Sequence, residues 1–280
     1  MIPRIVSIVA SFSVLFFSCA RGQLLTRDTA SGDSQAQFRK RLQLRDDDMA
    51  SKIFEAEKVG WNLYRYSILS DLAGFALAEQ TQAEQRRIIV GEITVHNGDD
   101  WRVRFYGAGS DGSFVPVADV IFDADCNAKV ETGASLLQFT PGELAMIKGR
   151  ELVLAQKADP CESNYKVITI PSPAGGNVWV YQLRVSFDES HVPEGQHLRF
   201  EISPDGTQIL SQREYSRRCN VLPIQKNDEG NNEIKLTNTM DSQPTEIYVY
   251  LSLRYDSGIF LATMQSNLYW MVKNGEVTQD

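Results

Sequence analysis

The chain has 280 residues, with 28 Lys and Arg against 36 Asp and Glu, a net charge of −8 and a pI near 5.1. That balance excludes a nucleic-acid partner and broad adhesion to an anionic membrane, because both need clustered cations. The length suffices for one large or two small domains with proper cores.

Residues 1–20 read as an export signal. Arg4 is their only charge, an apolar run follows over 5–17, and Ser18, Cys19 and Ala20 supply the small residues of a cleavage site. The run is shorter than the about 20 apolar residues that cross hydrocarbon, and Arg21 closes it. Two cleavage readings compete. With Ser18 and Ala20 at minus three and minus one, a soluble protein starts at Arg21 and carries a charge of −9, since Arg4 leaves with the signal. Alternatively, Phe16-Phe17-Ser18-Cys19 resembles a bacterial lipobox, with the two Phe departing from its usual Leu and small residue. The resemblance implies that Cys19 is lipidated and becomes the first residue, and Ala20 after it implies delivery to the outer membrane. Residues 21–34 are polar and rich in Gly, Ser, Thr, Asp and Gln, a composition too poor in apolar surface to order itself. A flexible tether of about 14 residues reaches roughly 20 Å.

The first folded element is helical. Phe38, Leu42, Met49, Ile53, Ala56, Val59, Leu63 and Tyr64 recur at helical spacing, after a capping-box pair at Ser34 and Gln37. Arg39, Lys40, Arg41 and Arg45 form the one basic cluster, balanced at once by Asp46, Asp47 and Asp48, as on a solvated helix face. Ser70 and Asp71 predict a fresh start for a short helix running to Ala78. The period then changes: 88–95, 101–106 and 115–122 read as a three-strand meander with turns at 97–100 and 107–112. Thr140-Pro141-Gly142-Glu143 combines an N-cap, a Pro at the first helical position and a capping-box Glu, predicting a central helix over 141–156.

The rest reads as hairpins. Strands are predicted over 166–170, 177–187, 197–202, 208–215, 246–255, 259–264 and 268–272, with a turn at Pro204-Asp205-Gly206. Trp179, Tyr181, Leu183, Val185 and Phe187 share one face, as do Ile247, Val249, Leu251 and Leu253, the pattern of sheets with one buried face. The Asn-, Asp- and Glu-rich stretch 227–239 reads as an exposed loop. The fold class that follows is α+β, predominantly antiparallel sheet in meander and hairpins. Its predicted parts are the signal (1–20), the tether (21–34), a helix-plus-meander module (35–139) and a helix-plus-antiparallel-β module (140–280).

Either cleavage reading removes Cys19 from the thiol count and leaves Cys126, Cys161 and Cys219. In an oxidising compartment a Cys161–Cys219 disulfide is favoured, each residue lying just outside a predicted strand, with Cys126–Cys161 the other option. Closing such a loop of about 59 residues is worth at most roughly 4 kcal/mol on the chain-entropy model. Cys126 would then be a lone thiol, buried or paired between chains.

The motifs that suggest chemistry lack its physical requirements. Gly107-Ala108-Gly109-Ser110-Asp111-Gly112 matches a dinucleotide fingerprint, but Phe114-Val115-Pro116-Val117 follows where a helix N-terminus must stand. Asp123-Ala124-Asp125-Cys126-Asn127 opens like a calcium loop, yet Ala128 and Ala134 occupy the positions needing Gly and Glu, so an Asx-rich turn is expected. Ser163 and Lys166 have the spacing of penicillin-recognising acyl enzymes, and Lys273-Asn274-Gly275 loosely resembles their distal triplet, but Lys166 enters a strand. His96, His191 and His197 lack metal-ligand spacing. Asp99, Asp100, Asp119, Asp123 and Asp125 read as solvated turn residues.

No cofactor, metal or catalytic residue is therefore predicted. The expectation is an exported cell-envelope protein, periplasmic or lipid-anchored in the outer membrane, that binds another protein or an envelope polymer and meets membrane only through the Cys19 anchor. The absence of an N-x-Ser/Thr sequon favours a bacterial envelope. Two rivals remain: an exported hydrolase acting on envelope polymer, and an acidic periplasmic inhibitor or immunity protein that neutralises a basic partner.

Overall fold

Ala50, Ile53, Ala56, Val59, Leu63 and Tyr64, spaced to fall on one stripe of a helix, lead into a helix buried on most of its circumference. This is α1 (Asp47–Gln80), 34 residues and about 51 Å long at 1.5 Å per residue. A computed structural model describes residues 42, 47–98, 100–133, 136–156, 161, 164–186 and 188–279. The export signal, Cys19, the tether and the basic cluster lie outside these residues. The predicted restart at Ser70 does not occur. The Ser70 hydroxyl donates to Glu92 at 3.2 Å and Asp71 accepts from Lys166, so both side chains serve neighbouring strands and cap no new helix.

After a single turn, α2 (Ala83–Arg86), the predicted meander forms and gains a fourth strand. Strands β1 (Ile89–Asn97), β2 (Asp100–Ala108), β3 (Phe114–Phe122) and β4 (Ala128–Thr132) pair antiparallel in that order. Strand β4 is only partly buried, which is why its sequence gives no strand pattern. Asp119 is the exception to solvated turn carboxylates: it sits inside β3 at 1 % exposure and binds Arg104 at 3.0 Å and Arg102 at 3.3 Å. Arg104 also donates to both oxygens of Glu143 at 3.0 Å and to the Leu137 carbonyl. Glu143 in turn completes the predicted capping box, accepting from the Thr140 amide at 2.7 Å while Thr140 Oγ1 accepts from the Glu143 amide. One carboxylate thus both starts α3 (Pro141–Leu154) and ties it to the meander.

The second sheet orders its strands β5 (Tyr165–Pro171), β6 (Val178–Arg184), β8 (Leu198–Ile202) and β9 (Ile209–Glu214), all antiparallel. Its predicted single buried face is not what forms. Val178 and Val180 are buried as well as Trp179, Tyr181 and Leu183. Helix α3 covers one side, where Gly149 lets it approach Ile202, and the Glu246 end of a later helix meets Tyr181 on the other. In the β8–β9 turn Gly206 takes φ +78 against the Ala145 carbonyl, so both conformation and space require glycine. Strands β7 (His191–Pro193) and β10 (Val221–Pro223) form a short separate pair.

The third sheet holds β11 (Gln225–Lys226), β12 (Asn232–Asn238), β13 (Gly258–Thr263), β14 (Leu268–Lys273) and β15 (Glu276–Gln279). Two predictions fail here for linked reasons. The segment read as an exposed loop contains β12, whose Ile234, Leu236 and Asn238 alternate inward. The segment read as a strand is α4 (Glu246–Arg254). Between Ile247, Val249 and Leu251 the residues Tyr248, Tyr250 and Ser252 are buried too; a helix surrounded by protein leaves no polar face to reveal its period. Strands β12 and β13 pair in parallel, so they need a crossover, and α4 is that crossover. Four helices and fifteen strands, mostly antiparallel, are thus formed among the described residues, an α+β fold rich in β.

Helix α1 touches all three sheets and α4. Tyr66 meets Trp101 edge-on at 5.4 Å, Glu57 accepts from the Val277 amide at 2.6 Å, and Trp61 covers Gly275 in the β14–β15 turn. The buried apolar residues form one cluster that runs across Thr140. Among the described residues no helix is long and apolar enough to cross a membrane.

Gly60 sets the α1–α4 distance: a Cβ there would lie 2.5 Å from Val249 Cβ and 2.8 Å from the Glu246 carbonyl oxygen. Gly60→Ala is expected to destabilise by about 1–2 kcal/mol, overpacking outweighing the gain in helix propensity. Urea denaturation checks this; a stabilised variant would contradict the close approach.

Candidate functional site

Antiparallel register sets three polar side chains in one row across the second sheet. Tyr181 on β6 stands opposite Arg199 on β8, and Arg199 opposite Arg213 on β9. Two arginines directly across a strand pair repel, so the row is stable only if carboxylates reach it. The segment 240–246 brings them: Glu246 pairs with Arg199 at 3.0 Å and Asp241 with Arg213 at 2.8 Å.

Glu246, 5 % exposed, is the first residue of α4, where the helix dipole favours negative charge. Its Oε1 accepts from Arg199, from Tyr181 Oη at 3.1 Å and from Tyr215 Oη. Burial, then the adjacent carboxylate, pushes both phenols well above their ordinary value, so they remain protonated donors. Burial opposes the charge of Arg199, but Tyr215, Tyr181 and Glu246 around it raise its pKa overall. The Arg199 guanidinium lies 3.9 Å over the Trp179 ring and that of Arg213 lies 4.7 Å over Tyr215, so both arginines are held by aromatic faces as well as by acids.

Above this floor opens a cleft of about 530 Å³, walled by α1 at Lys52 and Glu55 and by the 240–245 segment. Thr245, the N-cap of α4, forms no side-chain cap, and its buried Oγ1 has no partner; the buried Trp179 Nε1 has none either. An adjoining hollow of about 470 Å³ shares Met240 and Gln265 with the cleft and reaches Tyr248 and Asn238, whose Nδ2 is likewise buried without a partner. Fixed ion pairs and unfilled donors suit the arrangement to holding a polar ligand.

Cys161 and Cys219 are joined as predicted, their Cα atoms 5.6 Å apart. Cys126 is not a lone thiol. It is disulfide-bonded. The lipidation position Cys19 lies outside the described residues, as do Ser163 and Asp99. The glycine-rich motif is the β2–β3 hairpin loop, closed by Gly109 N–H to the Ser113 carbonyl at 2.7 Å. Asp123 accepts from the Asp125 and Asn127 amides in an Asx turn. Lys166 donates to Asp71 at 2.5 Å and to the Ser67 carbonyl at 2.7 Å, and burial pushes it below the usual lysine value.

Asp188, Ser190 and His191 cluster, but Ser190 Oγ and Asp188 Oδ2 meet the same ring atom, His191 Nδ1, at 2.8 and 2.7 Å. A relay needs one partner on each nitrogen. The sequence gives no sign that Glu246, Tyr181, Arg199 and Tyr215 meet, because they come from four separate segments and Glu246 opens a stretch patterned like a strand. No family model, curated protein or solved structure matches the chain.

Two residues before Arg199, His197 is 1 % exposed and bonds the Pro193 carbonyl through Nε2 at 3.1 Å. Burial lowers its pKa to about 4 from 6.5. The unfolded chain therefore binds the extra proton between those values, so His197 favours folding fully above pH 6.5 and loses that contribution as pH falls towards 4. The loss approaches about 3 kcal/mol at pH 4. Denaturation of the parent and of His197→Gln at pH 7 and pH 4.5 should show a smaller acid loss in the variant; equal losses would contradict the buried neutral imidazole.

Proposed function

We propose that the chain is an exported protein of a bacterial cell envelope that works by binding another macromolecule of that compartment. The Cys161–Cys219 bond supports export, because such bonds persist in oxidising compartments. The N-terminal pattern around Ser18, Cys19 and Ala20 supports delivery to the periplasm or, through a lipidated Cys19, to the outer membrane.

One observation carries the binding reading: the acids and bases on the floor of the cleft, Glu246 with Arg199 and Asp241 with Arg213, are already committed to one another. Glu246 holds three donors on one oxygen and Asp241 holds Arg213, an arrangement that fixes recognition groups in place. A general acid or base needs instead a proton it can release or take at working pH.

Incubating the purified full chain with isolated envelope polymer tests this. The protein should co-sediment with the polymer and release no soluble fragments. Release of new reducing ends that disappears in Glu246→Gln would show a hydrolase instead. Non-reducing peptide mapping with mass analysis of the mature N-terminus should give the 161–219 linked pair and either an acylated Cys19 or a free Arg21.

A further inference from the structure

We infer that the cleft at the start of α4 is a saccharide site that takes a segment of a neutral oligosaccharide, an inference that rests on the binding reading above and gives it a ligand class. The charge of the lining selects that class. Lys52, Arg199 and Arg213 line the cleft together with Glu55, Asp241 and Glu246, so the cations and carboxylates of the lining cancel in number, and Lys52 pairs with Asp48 at its edge. A phosphate or carboxylate ligand would bring unbalanced charge towards three carboxylates, and a cationic ligand would bring it towards three cations. An aromatic ligand finds no open ring to stack on, because Arg199 covers Trp179.

A sugar hydroxyl both donates and accepts, and this is the demand the cleft meets. The ion pairs Arg199–Glu246 and Arg213–Asp241 set planar donors and acceptors side by side, and each is pinned by a ring or by tyrosine hydroxyls so that little freedom is lost on binding. Beside them lie groups the protein leaves unfilled. Thr245, 3 % exposed, has a hydroxyl that neither caps α4 nor bonds elsewhere, and Trp179, 9 % exposed, has an indole N–H without an acceptor. Such groups cost free energy when buried, and a ligand oxygen reached by rotation of Thr245 would recover part of it.

The volume of about 530 Å³ falls within the range of small-ligand sites, roughly 300–1,000 Å³. The adjoining hollow extends the site beyond one sugar unit. Met240 lines both, and its unbranched chain can swing aside to join them into a groove that leads to the unpartnered Asn238 Nδ2. An oligomer is therefore the fitting ligand.

The test follows the indole N–H resonance of Trp179, assigned with Trp179→Phe, in the full disulfide-bonded chain during titration with chitotetraose, maltotetraose, tetragalacturonate and inorganic phosphate. At least one neutral tetrasaccharide should move that resonance to saturation and do so equally at low and high salt. Thr245→Val should weaken binding at least about tenfold, the loss of one good hydrogen bond. Lys52→Ala, on the exposed face of α1, should weaken it severalfold with an unchanged melting temperature. No movement with either neutral sugar overturns the site, as does movement only with galacturonate or phosphate that salt abolishes. Polymer co-sedimentation that persists undiminished in Thr245→Val would overturn this site and leave the general binding reading standing; loss of co-sedimentation by the parent would remove that reading itself.

Discussion

A carboxylate taken out of water must find donors, and Glu246 finds three, two on the second sheet and one just past its last strand, 31 to 65 residues distant in sequence. Moving such an ion inside costs several kcal/mol. Charge-assisted hydrogen bonds return about 1.5–3 kcal/mol each, so only the full set offsets the burial. That requirement orients α4 against the second sheet. Because α4 is also the crossover between β12 and β13, it positions the third sheet as well. The Arg199–Arg213 row makes the dependence mutual, since the arginines need the acids as much as Glu246 needs them.

The same logic recurs at the start of α3. Arg104 is 2 % exposed and directs its donors to Asp119, Glu143 and the Leu137 carbonyl, with Phe139 beneath it at 4.7 Å. Both networks join a helix N-terminus to a strand through a carboxylate. They differ in what lies outside: the Arg104 network directs its donors inward to protein groups, whereas the Glu246 network forms the floor of a cleft. That difference separates a closed structural tie from one that lines an open cleft.

Local chemistry was legible in the sequence. The Thr140 to Glu143 capping box, the Asp123 turn and the β2–β3 loop all depend on neighbours within five residues, and all form as the sequence predicts. Burial on every side was not legible. Period reveals an element only when one face meets water, and α4 has no such face, so its Ile247, Val249 and Leu251 passed for a strand. The Asn-rich β12 was misread for the converse reason, its outward residues being so polar that the inward Ile234 and Leu236 were outnumbered. The site was invisible because its register spans β6, β8 and β9 and its acids arrive from a crossover that the sequence reading had removed. Cys161 and Cys219 were found because compartment and strand ends constrain cysteines even when topology is unknown.

Arg199 and Glu246 depend on each other, and a double-mutant cycle measures that dependence. Arg199→Met and Glu246→Gln should each cost about 3 kcal/mol in urea denaturation, since each leaves a buried group without its partner. The double variant should cost at least about 2 kcal/mol less than the sum of the two. Additivity within about 0.5 kcal/mol would mean that the pair is incidental to the fold and that the cleft floor is not built on it.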